Sequence, residues 1–121
     1  GISWKSFNNR YASDKSLDLD DFKDVFKIPN CNVFNLQYGD VLDDINNFNN
    51  KQNKLLRINE LDLYNDFDSV AAFLKSLDIF ITISNSTAHL AGSLGVKTIL
   101  IKPDNYALFQ YWNQKNNKTP V

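Results

Sequence analysis

Leu77–Pro103 runs LDIFITISNSTAHLAGSLGVKTILIKP. Ile79–Ser84 (IFITIS) is almost wholly apolar and rich in β-branched residues, the composition of a strand covered on both faces. Asn85–Leu94 then turns to small residues at helical length. Gly95 follows at the position where helices commonly pass into the left-handed conformation. Val96–Ile101 is a second apolar run, expected as another buried strand, and Pro103 closes it. A strand, a helix and a strand in about 25 residues make a βαβ unit, which brings its two strands together in parallel.

The same alternation extends upstream. Gly1–Lys5 (GISWK) begins as a strand, and Phe7–Ser16 is polar and reads as a loop. Asp18–Lys27 carries Leu19, Phe22, Val25 and Phe26 at spacings of three and four, which predicts an amphipathic helix, acidic at its start and basic at its end. Pro29-Asn30 stops it. Asn32–Gln37 predicts a strand, Gly39 a turn, Val41–Asn50 a helix and Leu55–Ile58 a short strand. Asp66–Leu77 predicts a helix that Asp66 or Asp68 can cap, with Val70, Ala71, Phe73, Leu74 and Leu77 on its buried face. Tyr106–Trp112 predicts a last helix, and residues 113–121 a frayed tail. The expected fold is α/β, a Rossmann-like three-layer sandwich with a mainly parallel sheet, in one domain spanning residues 1–121.

Composition narrows the function. The chain has 121 residues, 13 basic against 14 acidic, a balance that excludes the electrostatic footprint of a general nucleic-acid binder. One cysteine, Cys31, and one histidine, His89, exclude an internal disulfide framework and a multi-histidine metal site. No metal is expected. No apolar run approaches the ~20 residues of a membrane span, and no leader is visible, so a cytoplasmic setting is expected. The 17 asparagines and the excess of lysine over arginine, 11 to 2, reflect coding bias rather than function.

In open α/β sheets ligands bind outside the carboxyl ends of the strands. The sharpest segment there is Ser84–Gly95, with His89 one turn into its helix. Free N–H groups at a helix start, with the helix dipole behind them, bind anions and phosphate in particular. The hydroxyls of Ser86 and Thr87 add donors. Ordinary capping explains the same residues without a ligand, since Ser, Thr and Asn begin many helices. His89 is either a phosphate donor whose charge matters near neutral pH or a polar residue bonded to a neighbouring loop. Lys15 and Arg10 suit a diphosphate counter-charge. Asp62, with Glu60, Asp66 and Asp68 around Tyr64, offers a carboxylate for a ribose hydroxyl. Trp4 and Trp112 are read as packing, and Cys31 as a silent, part-buried thiol. There is no P-loop and no GxGxxG.

At this segment, and in GISWK, KSLDLDDF, VFNLQYGD and LDLYNDFDSVAAFLKSLD taken in order, the chain resembles the carboxyl-terminal domain of tetratricopeptide-repeat-linked, heptosyltransferase-like glycosyltransferases. The resemblance covers nearly the whole chain. It implies one half of a two-Rossmann-domain (GT-B) transferase, the half that binds the nucleotide-diphosphate sugar. That donor is a substrate, and no cofactor is implied. It implies diphosphate contacts at Asn85, Ser86, Thr87 and His89, with Lys15 facing phosphate. It also implies that Ser3, Gln37 and the Asn59–Asp62 loop, Asp62 included, lie on the nucleotide side. Where the family pattern has Asp-Thr at the strand end, this chain has Ser84-Asn85.

The partners implied are the nucleotide sugar, a missing amino-terminal Rossmann domain and a repeat domain. Catalysis would need donor, acceptor and base held together. The base is expected from the missing half, so no catalytic residue is assigned and the isolated chain is expected to be inactive. The alternative is a non-enzymatic, degenerate Rossmann module that serves as a packing or interaction unit, self-associating through an exposed docking face. A receiver-like regulator fits poorly, because the first strand lacks the acidic cluster it would need.

Overall fold

The computed structural model describes residues 1–7 and 12–103. Among the described residues five strands are formed, β1 (Ile2–Ser3), β2 (Val33–Phe34), β3 (Leu55–Leu56), β4 (Phe80–Ile83) and β5 (Thr98–Ile101). Four α-helices accompany them, α1 (Ala12–Lys15), α2 (Leu42–Asn50), α3 (Phe67–Ser76) and α4 (Ser86–Ser93). β1, β4 and β5 form one parallel sheet in that order, and β2 and β3 a parallel pair. A parallel bridge between Ile2 and Asn35 joins the two, with Leu36 N donating to Ile2 O at 2.9 Å. The spatial order is therefore β3-β2-β1-β4-β5. The order reverses between β1 and β4, which makes that boundary the topological switch point of a Rossmann-like fold.

Side chains alternate across the sheet into two separate cores. On one face Ile2, Val33 and Leu55 pack with Leu19, Phe22, Ile45 and Phe48. On the other, Leu36 and Phe80 pack with Val70, Leu74 and Ala91 from α3 and α4. Helices thus cover both faces, and the fold is the α/β three-layer sandwich that the strand and helix alternation predicts. The α3 cap is Asp66, whose carboxylate accepts from Ser69 N at 3.0 Å. α4 closes in a Schellman motif at Gly95 (φ +67°), where Gly95 N donates to Gly92 O and Val96 N to Ala91 O, both at 3.0 Å.

Five expectations are corrected. Asp18–Lys27 is two 3-10 turns, Leu19–Phe22 and Val25–Lys27, rather than an α-helix. Leu19, Phe22 and Val25 recur every three residues, the repeat that eclipses in a 3-10 helix, and the Asp21 carboxylate bonds back to Asp18 N at 3.0 Å. Phe7–Ser16 is not loop throughout, because Ala12–Lys15 turns once as α1. β1 and β2 are shorter than expected, because side chains take over the ladder: Gln37 Oε1 accepts from Trp4 N and Lys5 N, and Asn35 Oδ1 accepts from Gln37 N. β5 is not buried on both faces. Its residues alternate between half-buried and exposed, with Ile99 48% and Ile101 37% exposed, so the face that these two share is left open. Finally, Cys31, expected part-buried, is exposed, because it sits between the Pro29-Asn30 turn and β2. Tyr106–Trp112 and the 113–121 tail lie outside the described residues.

Candidate functional site

The carboxyl ends of β1 and β4 are held by a buried polar knot. Ser3 and Thr82 face each other across the parallel register, their hydroxyls 2.6 Å apart, and both are fully buried. Asn85, the residue before α4, reaches down into this knot and donates from Nδ2 to Ser3 Oγ at 2.9 Å. Its Oδ1 accepts from Ala88 N at 3.0 Å, the capping bond. One side chain thereby fixes the start of α4 against two strands at the switch point.

That cap satisfies only the third N–H of the helix. Nothing among the described residues accepts the backbone N–H groups of Ser86 and Thr87, which leaves two donors at the positive end of the helix dipole. Both residues line a cleft of about 780 Å³ that opens at the carboxyl edge. The opposite wall comes from the segment after β2 (Tyr38, Gly39, Asp40), the β3–α3 loop (Leu63, Tyr64) and the first residue of α3 (Phe67), with Phe7 from the segment after β1.

Aromatic rings dominate this cleft. Phe7 and Tyr38 have ring centroids 5.5 Å apart, and Tyr38 and Tyr64 6.1 Å. Gly39 makes the arrangement possible. It sits at φ +90°, and a Cβ there would meet the Phe7 ring at 2.5 Å. A smaller recess of about 370 Å³ adjoins it, sharing Tyr38, Asp40 and Tyr64 and adding Arg57 and Asp62.

The structure treats the sequence-derived candidates unequally. Ser86 and Thr87 are at the cleft. Ser3 and Gln37 are buried and spend their polar atoms internally; Gln37 also donates from Nε2 to Tyr38 O at 2.9 Å. Asn85 is likewise committed to Ser3 and Ala88, so these three shape the carboxyl edge rather than presenting groups to a ligand. Asp62 is at the surface, and its carboxylate accepts from Tyr64 N, Asn65 N and Asn65 Nδ2 at 2.9, 3.0 and 2.9 Å. The Asn65 side chain, and then those backbone N–H groups, hold its pKa below the usual carboxylate range. Lys15 ends α1 close enough to His89 to act on it. Burial first, and the Lys15 cation second, push the imidazole below its ordinary value of 6.5, which favours the neutral ring at pH 7. Arg10 lies outside the described residues.

Sequence reasoning missed the aromatic walls. Phe7, Tyr64 and Phe67 fall in stretches read as polar loop or helix start, yet they are 47%, 68% and 61% exposed. Large aromatics in loops at the carboxyl edge are a usable signal for a binding surface. Among the described residues no group of three or more His, Cys, Asp or Glu side chains could hold a metal ion, and no helix is long and apolar enough to cross a membrane.

Over 105 residues, 84% of its length, the chain is 29% identical to Protein FlbA of Caulobacter vibrioides. The aligned stretch covers 17% of the length of that curated relative. No protein-family profile and no solved structure matches the chain.

Proposed function

We propose that this domain binds a nucleoside-diphosphate sugar across the carboxyl edge of its sheet and is the donor-binding half of a GT-B glycosyltransferase. The observation that carries the proposal is the start of α4, where the unbonded Ser86 and Thr87 N–H groups border a large cleft at the switch point. A diphosphate there would take those two donors and the two hydroxyls; Lys15 and His89 lie outside the cleft lining and would contribute counter-charge and donor from α1 and α4. The donor is a substrate, and no resident cofactor is needed. Transfer requires an acceptor and a base held against the sugar, so the chain by itself binds without turning over. A cytoplasmic setting fits a domain with one unpaired cysteine.

Calorimetric titration of the chain with UDP, ADP and GDP tests the proposal. Saturable binding in the micromolar to millimolar range supports it; absence of binding by the folded chain at millimolar nucleotide sinks it. Ser86→Pro is the sharper probe. Asn85 is extended (φ −143°, ψ −179°), so proline is accommodated at the first helical position and removes one N–H without breaking the helix. Binding should weaken while the unfolding midpoint stays put. Ser86→Ala and His89→Ala should weaken binding as well.

A second reading, a non-enzymatic packing module, is favoured by one observation. Ile99 and Ile101 leave an apolar strip on β5, the outermost described strand. In this reading the chain self-associates. Light scattering that reports dimers, abolished by Ile101→Lys, would favour it; a monomer at high concentration would dispose of it.

A further inference from the structure

Anchoring a diphosphate leaves the far wall of the cleft unexplained. Phe7, Tyr38, Tyr64 and Phe67 give it flat apolar surfaces suited to a planar ring. Asp40 is the one charged side chain among the described residues lining it. It is exposed, and no described residue donates a hydrogen bond or pairs with it, whereas the neighbouring Asp62 is fully engaged by its own loop. A carboxylate accepts only, and two oxygens side by side match two adjacent N–H donors.

The nucleobases differ sharply against such a group. Guanine presents N1–H and the N2 amino group next to one another on a single edge. Uracil presents one N–H between two carbonyl oxygens, which a carboxylate repels. Adenine and cytosine each place an amino group beside a ring nitrogen that is itself an acceptor. We propose that Asp40 selects guanine, so that the ligand of this cleft is a guanosine-diphosphate sugar. This rests on the nucleoside-diphosphate reading above and adds the identity of the base.

The experiment is calorimetric titration of the unaltered chain with GDP, IDP, ADP, UDP and CDP, repeated on Asp40→Asn with its fold checked by circular dichroism. IDP differs from GDP only in lacking the N2 amino group. GDP is expected to bind tightest, IDP about tenfold more weakly, the loss of one hydrogen bond to a charged acceptor. Asp40→Asn is expected to lower GDP affinity by about tenfold and to leave UDP within about twofold. If UDP, ADP or CDP matches GDP, or if IDP equals GDP, guanine selection is overturned while diphosphate binding stands. If Asp40→Asn weakens every nucleotide alike, the carboxylate serves the shared ribose and the inference also fails. If none of the five binds at millimolar concentration, the nucleoside-diphosphate reading falls with it.

Discussion

Asn85 Nδ2 donates to Ser3 Oγ at 2.9 Å, a bond between residues 82 apart in sequence that ties the first turn of α4 to the end of β1. The same side chain caps the helix through Ala88 N. Asn85→Ala removes the cap and leaves the buried Ser3–Thr82 pair short of a donor, at a cost of about 2 kcal/mol. Urea unfolding measures it. Asn85→Asp keeps the capping oxygen but not the donor, so its cost separates the two roles.

Gln37 stands in for a neighbouring strand at the end of β1. Its Oε1 accepts from both Trp4 N and Lys5 N. Gln37→Leu fills the space but strands two backbone donors in a buried setting, and about 2–4 kcal/mol should be lost. Amide hydrogen exchange at Trp4 and Lys5 should rise more than the global loss accounts for.

Gly39→Ala should be destabilising by about 1–3 kcal/mol, since φ +90° strains any side chain and the new Cβ collides with the Phe7 ring. The clash has a signature. In a Phe7→Ala background the penalty should shrink to the backbone part alone, and a double-mutant cycle would report the difference.

His89 predicts a pH dependence on the acid side of neutrality. Burial and Lys15 hold its folded affinity for a proton below that of the unfolded chain. The unfolded state therefore binds more protons as pH falls through about 6.5, so stability is full above that value and declines below it. Urea midpoints between pH 8 and pH 5.5 should drop with pH in the native sequence and less steeply in His89→Gln, the remaining slope coming from the Gly1 amine, which burial lowers from 8.0 to about 6. Asp62 and Asp66, held down by hydrogen bonds from Asn65 and Ser69, lose their contribution only at lower pH, nearer 4.

Much of the architecture is legible in hydrophobic period. IFITI has no polar face to misplace, and α3 carries its own cap and apolar stripe, so both fall within a residue or two of their expected places. The misreadings have physical causes. Leu19, Phe22 and Val25 satisfy a three-residue repeat as well as a helical one, and tertiary packing against α2 chose the tighter turn. β5 has an interior strand's composition in the outermost position among the described strands, which composition alone cannot distinguish. At the site, Ser86 and Thr87 are recognisable from the strand-to-helix junction, whereas the commitment of Asn85 to Ser3 and of Gln37 to the Trp4 backbone depends on pairings across 82 and 33 residues. No local pattern carries that.

The polar knot beneath α4 has an evolutionary corollary. Because side chains inside the sheet, and not the surface loops, fasten the strand tips, exposed positions around the cleft other than Gly39 can be rewritten with little penalty to the scaffold. Recognition in such a domain is free to drift from one ligand to another while the frame that displays it stays unchanged.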